Sequence, residues 1–319
     1  MNGDKAGRFV RFILAKSAAS VYAPNMTFAR HDPIDTLERI AKKPSWITSA
    51  RGDTLEDVAF LSGAALNHLH VVLGHHAVPQ ALSRNRLALR AAEACVAFSG
   101  RPERAGELRD AVHLLRPGDL PGPAGEAYLA WRRATDRPVS VKALGRALPT
   151  LEPSQIGTWL DAGKGEPVTR AAMVLEAVLM EAPRAEVPAL ILADAALAQA
   201  LGWDHLVPLL AAGVKRADLR KRGDDLRLAC HRAVTASAVD AVRLAGDLAR
   251  RAALLKGVAP KLRAKGAGEA VEIFLTQDAV APGALPLPDR AARRLCDRLV
   301  DLDAVRELTG RDSFRLYGV

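Results

Sequence analysis

Ten basic side chains near the carboxyl end have the types and spacing that best suggest a chemistry in this sequence. Arg290, Arg293, Arg294 and Arg298 fall in DRAARRLCDRLVDL, residues 289–302, and Arg306, Arg311 and Arg315 follow in AVRELTGRDSFRLYGV. Lys261, Arg263 and Lys265 precede them in KGVAPKLRAKGAG, residues 256–268, close to Arg250 and Arg251. A guanidinium presents a planar fork of donors that fits phosphate oxygens or the paired acceptors on the major-groove edge of guanine. Each phosphate neutralised adds salt-dependent affinity, so the expected chemistry is contact with duplex DNA rather than bond making. A plainer reading stands beside it. Asp297 lies one turn from Arg293, and Asp289, Asp301, Asp303, Glu307 and Asp312 offset most of the local positive charge, as on a solvated, ion-paired face. Residues 256–268 read equally as a soluble basic linker.

Elsewhere few residues have types and spacing suited to catalysis. Asp110 and His113 are one helical turn apart, with Arg109 and Arg116 nearby and Arg86 and Arg90 on the preceding helix. They suit an acid–base pair or, as the more ordinary expectation, a buried ion-pair cluster bracing two helices. His68, His70, His75 and His76 cluster, but His68 and His75 stand about 10 Å apart on a helix, too far to share an ion. Cys95, Cys230 and Cys296 form no CxxC and are expected as buried free thiols in a reducing cytoplasm. There is no GxSxG, no GxxxxGK[ST] and no GxGxxG after a strand. No catalytic residue, metal or cofactor is expected, and the chain reads as non-enzymatic. An enzyme using Asp110 and His113 is the remote alternative.

The elements that must position the arginines are a helix over 268–277, a proline-rich connection over 278–288, a second helix opened by Pro288 and running over 289–302, and a hairpin. The hairpin is expected to turn at Thr309-Gly310-Arg311-Asp312, since Gly310 tolerates positive φ. Helix, tight connection, helix and hairpin is the element order of a winged helix. That fold lays the amino-terminal half of its second helix in the major groove and its wing on phosphate or the minor groove.

Ahead of that module, residues 54–256 read as an Ala/Leu-rich helical body. A cap at Thr54 with Asp57 opens the helix that ends near Gly74, and further helices are expected at 84–98, 103–114, 141–148, 154–162, 168–181, 187–201 and 204–212. A long helix is expected over 224–255. Residues 1–53 read as a loosely organised arm with helices at 8–19 and 34–43. The fold class expected is therefore mainly α, a multi-helix bundle or array with a carboxyl-terminal winged-helix-like module over 257–319. Lys and Arg number 45 against 36 Asp and Glu, and this +9 balance permits an acidic partner without naming one. The bias to arginine, 34 of those 45, suits phosphate contact but follows equally from GC-rich coding. No stretch has the length of a membrane helix and no secretory signal is evident, so the expected location is the cytoplasm.

RLALRAAEAC at 86–95, ELRDAVHLLRPGDLPGPAGEAYLAWRR at 107–133, VAPKLRAKGAGEAVE at 258–272 and residues 289–319 together resemble the bacterial family catalogued as domain of unknown function 1403, often plasmid-borne. This resemblance carries no activity with it. The closing RELTGRDSFRLYGV is also similar to the wing of Fic-type and plasmid-encoded helix-turn-helix proteins, with Thr309, Gly310 and Arg311 at the turn, although no HPFxxGNGR motif is present. The leading expectation is a DNA-associated regulator or plasmid-maintenance factor that binds duplex DNA through its carboxyl-terminal module and has no membrane role. The alternative is a scaffold whose module docks a partner protein, with self-association or a partner engaged through the helical body.

Overall fold

The structure, a computed structural model, describes residues 43–50, 52–311 and 313–319. All of these residues belong to one compact unit. The helix expected at 8–19, and all but the last residue of that expected at 34–43, lie outside the described residues. Among those residues run thirteen α-helices and one two-stranded sheet, so the protein is mainly α.

After a single turn, α1 (Trp46–Ser49), the body opens with α2 (Leu55–Leu73). Thr54 starts α2 as expected: its hydroxyl accepts from the Asp57 N–H at 3.2 Å, and the Asp57 carboxylate accepts from the Thr54 N–H at 3.3 Å. This reciprocal box satisfies donors that a helix start leaves open. The stripe Val58, Ala65, Leu69 and Val72 is buried and packs along α11 (Gly223–Val258), whose 36 residues span about 54 Å. Next come α3 (Gln80–Phe98), α4 (Ala105–His113) and α5 (Gly122–Asp136), with α3 against α5 and α4 packed on both. Three helices then follow, α6 (Val141–Ala147), α7 (Pro153–Asp161) and α8 (Pro167–Glu181).

At the centre of the core lies α9 (Glu186–Ala200), in which every residue from Ala189 to Ala198 is buried. A helix apolar on all sides has no solvent face to present, and α5, α7, α8 and the single turn α10 (Leu210–Gly213) enclose this one. The helix expected over 204–212 shrinks to that turn. Pro208 lacks an N–H and biases residue 207 away from helical backbone, and the Asp194 carboxylate accepts from the N–H groups of Leu209 and Leu210 at 3.2 and 2.9 Å.

The carboxyl-terminal stretch contains α12 (Ala267–Thr276), a 3-10 turn at Pro282–Ala284, α13 (Asp289–Asp301), and the strands β1 (Arg306–Glu307) and β2 (Tyr317–Gly318). The strands are antiparallel with Arg306 opposite Gly318 and Glu307 opposite Tyr317, while Tyr317 exchanges backbone bonds with Val280 on its other side at 2.8 and 2.9 Å. The tight hairpin at Thr309–Asp312 requires correction, because the paired residues flank a longer crossing, 308–316. The Leu308 N–H still donates to the Leu316 carbonyl at 2.8 Å, and side chains add to this: the Glu307 carboxylate accepts from the Arg311 N–H and the Thr309 hydroxyl from the Leu316 N–H, both at 3.3 Å. Gly310 has the expected positive φ, 59°, and Phe314 a second at 55°. Phe274, Ala292, Leu295, Leu299 and Tyr317 share one continuous apolar core with Leu89, Tyr128 and Trp131 of the body.

Candidate functional site

The face of α13 opposite its buried residues Ala292, Leu295, Cys296 and Leu299 carries Arg290 and Arg294, one turn apart, with Arg293 and Arg298 to either side. All four are exposed, and none forms an ion pair among the described residues. Arg294 Nε donates to the Arg290 carbonyl at 3.2 Å, which holds its stem along the helix. Asp297 and Asp301 share this face without closing onto the arginines.

Lys261, Arg263 and Lys265 are exposed on the connection between α11 and α12. The connection turns at Gly266, with φ 91°, where a Cβ would come 2.9 Å from the Pro286 carbonyl oxygen. This close approach seats Gly266 against the loop that opens α13. Arg306 is exposed on β1.

Arg311 and Arg315 are placed differently from the other eight. Arg311 Nη2 lies 2.5 Å from Asp110 Oδ1 on α4, and Arg315 donates from Nε to the Arg311 carbonyl at 2.9 Å with Nη1 3.7 Å from Glu307 Oε2. Both serve to hold the 308–316 crossing to its surroundings.

Asp110 and His113 each have other charged neighbours in the structure. Asp110 is engaged by Arg311, while burial first, and the neighbouring Arg132 charge second, depress the His113 imidazole below its usual range. Arg86 does face this region, but its partner is Asp278, just past α12. Arg86 Nε lies 2.5 Å from Oδ1 of Asp278, and Arg109 reaches the same carboxylate with Nε at 2.6 Å and Nη2 at 3.1 Å. Arg90 is exposed. Tyr128 lies against the cluster, and burial, then the Asp278 charge, push its hydroxyl up to about 12. The cluster of ion pairs bracing helices therefore exists, built on an acid that sequence reasoning passed over. A signal was present: Asp278 is the lone acid of the apolar run Ile273–Leu285, and an acid in such a run is buried with a partner or not at all.

Cys95, Cys230 and Cys296 are buried free thiols, and burial raises Cys95 and Cys296 to about 12. No group of three His, Cys, Asp or Glu side chains among the described residues is arranged to hold a metal ion. His70 instead accepts from the Trp203 indole at 2.9 Å, and His75 stacks on His76. No helix of the described residues is long and apolar enough to cross a membrane.

No curated protein matches the chain. Residues 31–319, nearly the whole sequence, match the family described as "Protein of unknown function (DUF1403)", and to that family the chain belongs.

Proposed function

We propose that this protein associates with duplex DNA through the exposed face of α13, assisted by the linker cations and Arg306. The observation that carries the reading is the set of four guanidiniums, Arg290, Arg293, Arg294 and Arg298, turned to solvent with no ion pair among the described residues. Arginine left unpaired on a short, firmly seated helix is available to phosphate at little reorganisation cost. The order α12, the Val280 bridge, a 3-10 turn, α13 and a β-pair follows that of a winged helix with its middle helix reduced to one turn, which supports α13 as the groove-facing element. Regulation of transcription or plasmid maintenance is the setting this reading suggests.

The test is fluorescence anisotropy of the purified full chain with random-sequence duplex across a salt series. Binding is expected at low salt with a steep salt dependence. Replacing Arg290 and Arg294 together by Ala should flatten the log K against log salt slope by about 1.8, since each phosphate no longer neutralised removes about 0.9. An unchanged slope, or no binding by the wild type at low salt, overturns the proposal. A stable co-purifying protein in place of DNA would then favour the scaffold.

A further inference from the structure

Within the helical body, Ser62 of α2, His231 of α11 and Glu166 at the start of α8 form a relay. Ser62 Oγ lies 2.8 Å from His231 Nδ1, and His231 Nε2 lies 3.1 Å from Glu166 Oε1. The serine and histidine are buried, at 1% and 2% exposure. Glu166 is held from behind, accepting from the backbone N–H groups of Val168 at 2.9 Å and Thr169 at 2.6 Å. Burial works against its charge, but the bonds from His231, Thr169 and Val168 outweigh it and bring the carboxyl down to about 2.

These contacts favour one tautomer. A carboxylate can only accept, so Nε2 carries the proton that faces Glu166, and in the tautomer with that one proton Nδ1 is an acceptor. The Ser62 hydroxyl also donates to the Ala59 carbonyl of its own helix at 3.0 Å, so its one hydrogen has two acceptors within reach, that oxygen and, at 2.8 Å, Nδ1. A hydroxyl, a base positioned to take its proton and an acid orienting that base form the arrangement that activates a serine nucleophile.

A pocket of 330 Å³ opens on Ser62 and Glu166. Leu66, Leu201 and Trp203 give it apolar walls, and Asn67 lines it as well. Gly63, next to the serine, also lines it, and nothing lies within 4 Å of where its Cβ would be. The size suits a small ligand.

We infer that this pocket is an acyl-transfer site that hydrolyses small carboxylic esters with a short apolar acyl group, using Ser62 as nucleophile, His231 as general base and Glu166 as its positioning residue. In the first step Ser62 Oγ bonds to the carbonyl carbon as its proton passes to His231 Nδ1. The ester C–O bond then breaks, and the leaving alcohol takes that proton. Water attacks the acyl-serine in the same way, losing a proton to His231, and the acid departs as Ser62 regains its hydrogen.

The test uses the purified full chain with a fluorophosphonate probe and with 4-nitrophenyl acetate and butyrate. A covalent adduct on the Ser62 peptide by mass spectrometry is expected, with ester hydrolysis reduced about a hundredfold or more in Ser62→Ala and His231→Asn. Glu166→Gln should lower kcat about tenfold or more with KM little changed, a split that a merely structural role would not produce. The absence of a Ser62 adduct in the folded wild-type chain overturns the inference, and because that measurement needs no variant it survives any misfolding of the substitutions. Hydrolysis unaffected by Ser62→Ala overturns it equally. Neither outcome bears on DNA binding by α13.

Discussion

Arg109 donates to both carboxylate oxygens of Asp278, at 2.6 and 3.1 Å, and so ties α4 to the segment that follows α12 in a site closed to water. With Arg86 on the same carboxylate, one buried acid holds two cations from two helices. Removing one member of such a pair leaves the others charged and unpaired, at a cost of about 3–5 kcal/mol. Asp278→Ala should lower the unfolding free energy by an amount of that order, read from the urea midpoint. A loss below about 1 kcal/mol would show that solvent reaches the site.

Asp194 makes the body's stability depend on pH. Complete burial, only partly offset by the N–H groups of Leu210, Leu209 and Ala211, raises its carboxyl to about 7, and Oδ2 has no hydrogen-bond partner. A carboxyl whose folded value lies above its unfolded value near 3.8 favours the folded state fully below about pH 4 and loses that contribution as pH rises through about 7. Wild-type stability from Asp194 should therefore fall between pH 4 and 8. Asp194→Asn should flatten that stretch of the profile, measured as urea midpoints at half-unit intervals. A wild-type profile that rises over the same window would contradict the assignment.

Two helical glycines should respond in opposite directions. At Gly63 a Cβ meets nothing within 4 Å, so Gly63→Ala should stabilise α2 by up to about 1 kcal/mol. At Gly213 a Cβ would lie 2.5 Å from both the Ala233 carbonyl oxygen and Ser237 Oγ, so Gly213→Ala should destabilise by about 1–3 kcal/mol as α10 is forced off α11. Thermal melts of the two variants provide the comparison, and the same sign for both would refute it.

Arg311 and Arg294 should separate by role. Arg311 is paired with Asp110 at a partly exposed site, where an ion pair contributes at most about 1 kcal/mol. Arg311→Ala should scarcely move the melting temperature and should leave the salt slope of DNA binding unchanged, while speeding tryptic cleavage at Arg315. Arg294→Ala should leave stability alone and reduce that slope by about 0.9. Equal effects of the two on the slope would place Arg311 at the phosphate backbone as well.

Local chemistry was enough to specify most helices, because apolar spacing, the Thr54 cap and the proline starts of α7 and α8 act within a turn or two of the chain. It also specified the amphipathic face of α13, since a stripe at helical spacing needs no knowledge of what covers it. What required the tertiary structure was every partnership across long separations. Asp278 meets Arg86 from 192 positions away, Arg311 leaves the expected wing for Asp110, and Ser62 finds His231 across 169 residues. Pattern reading weighs neighbours along the chain, whereas a buried charge or hydroxyl must be satisfied by whatever the packing of α3, α4 and α11 brings within about 3 Å of it. The 204–212 helix failed for the same reason: a carboxylate on α9 took the N–H groups that a longer helix would have used.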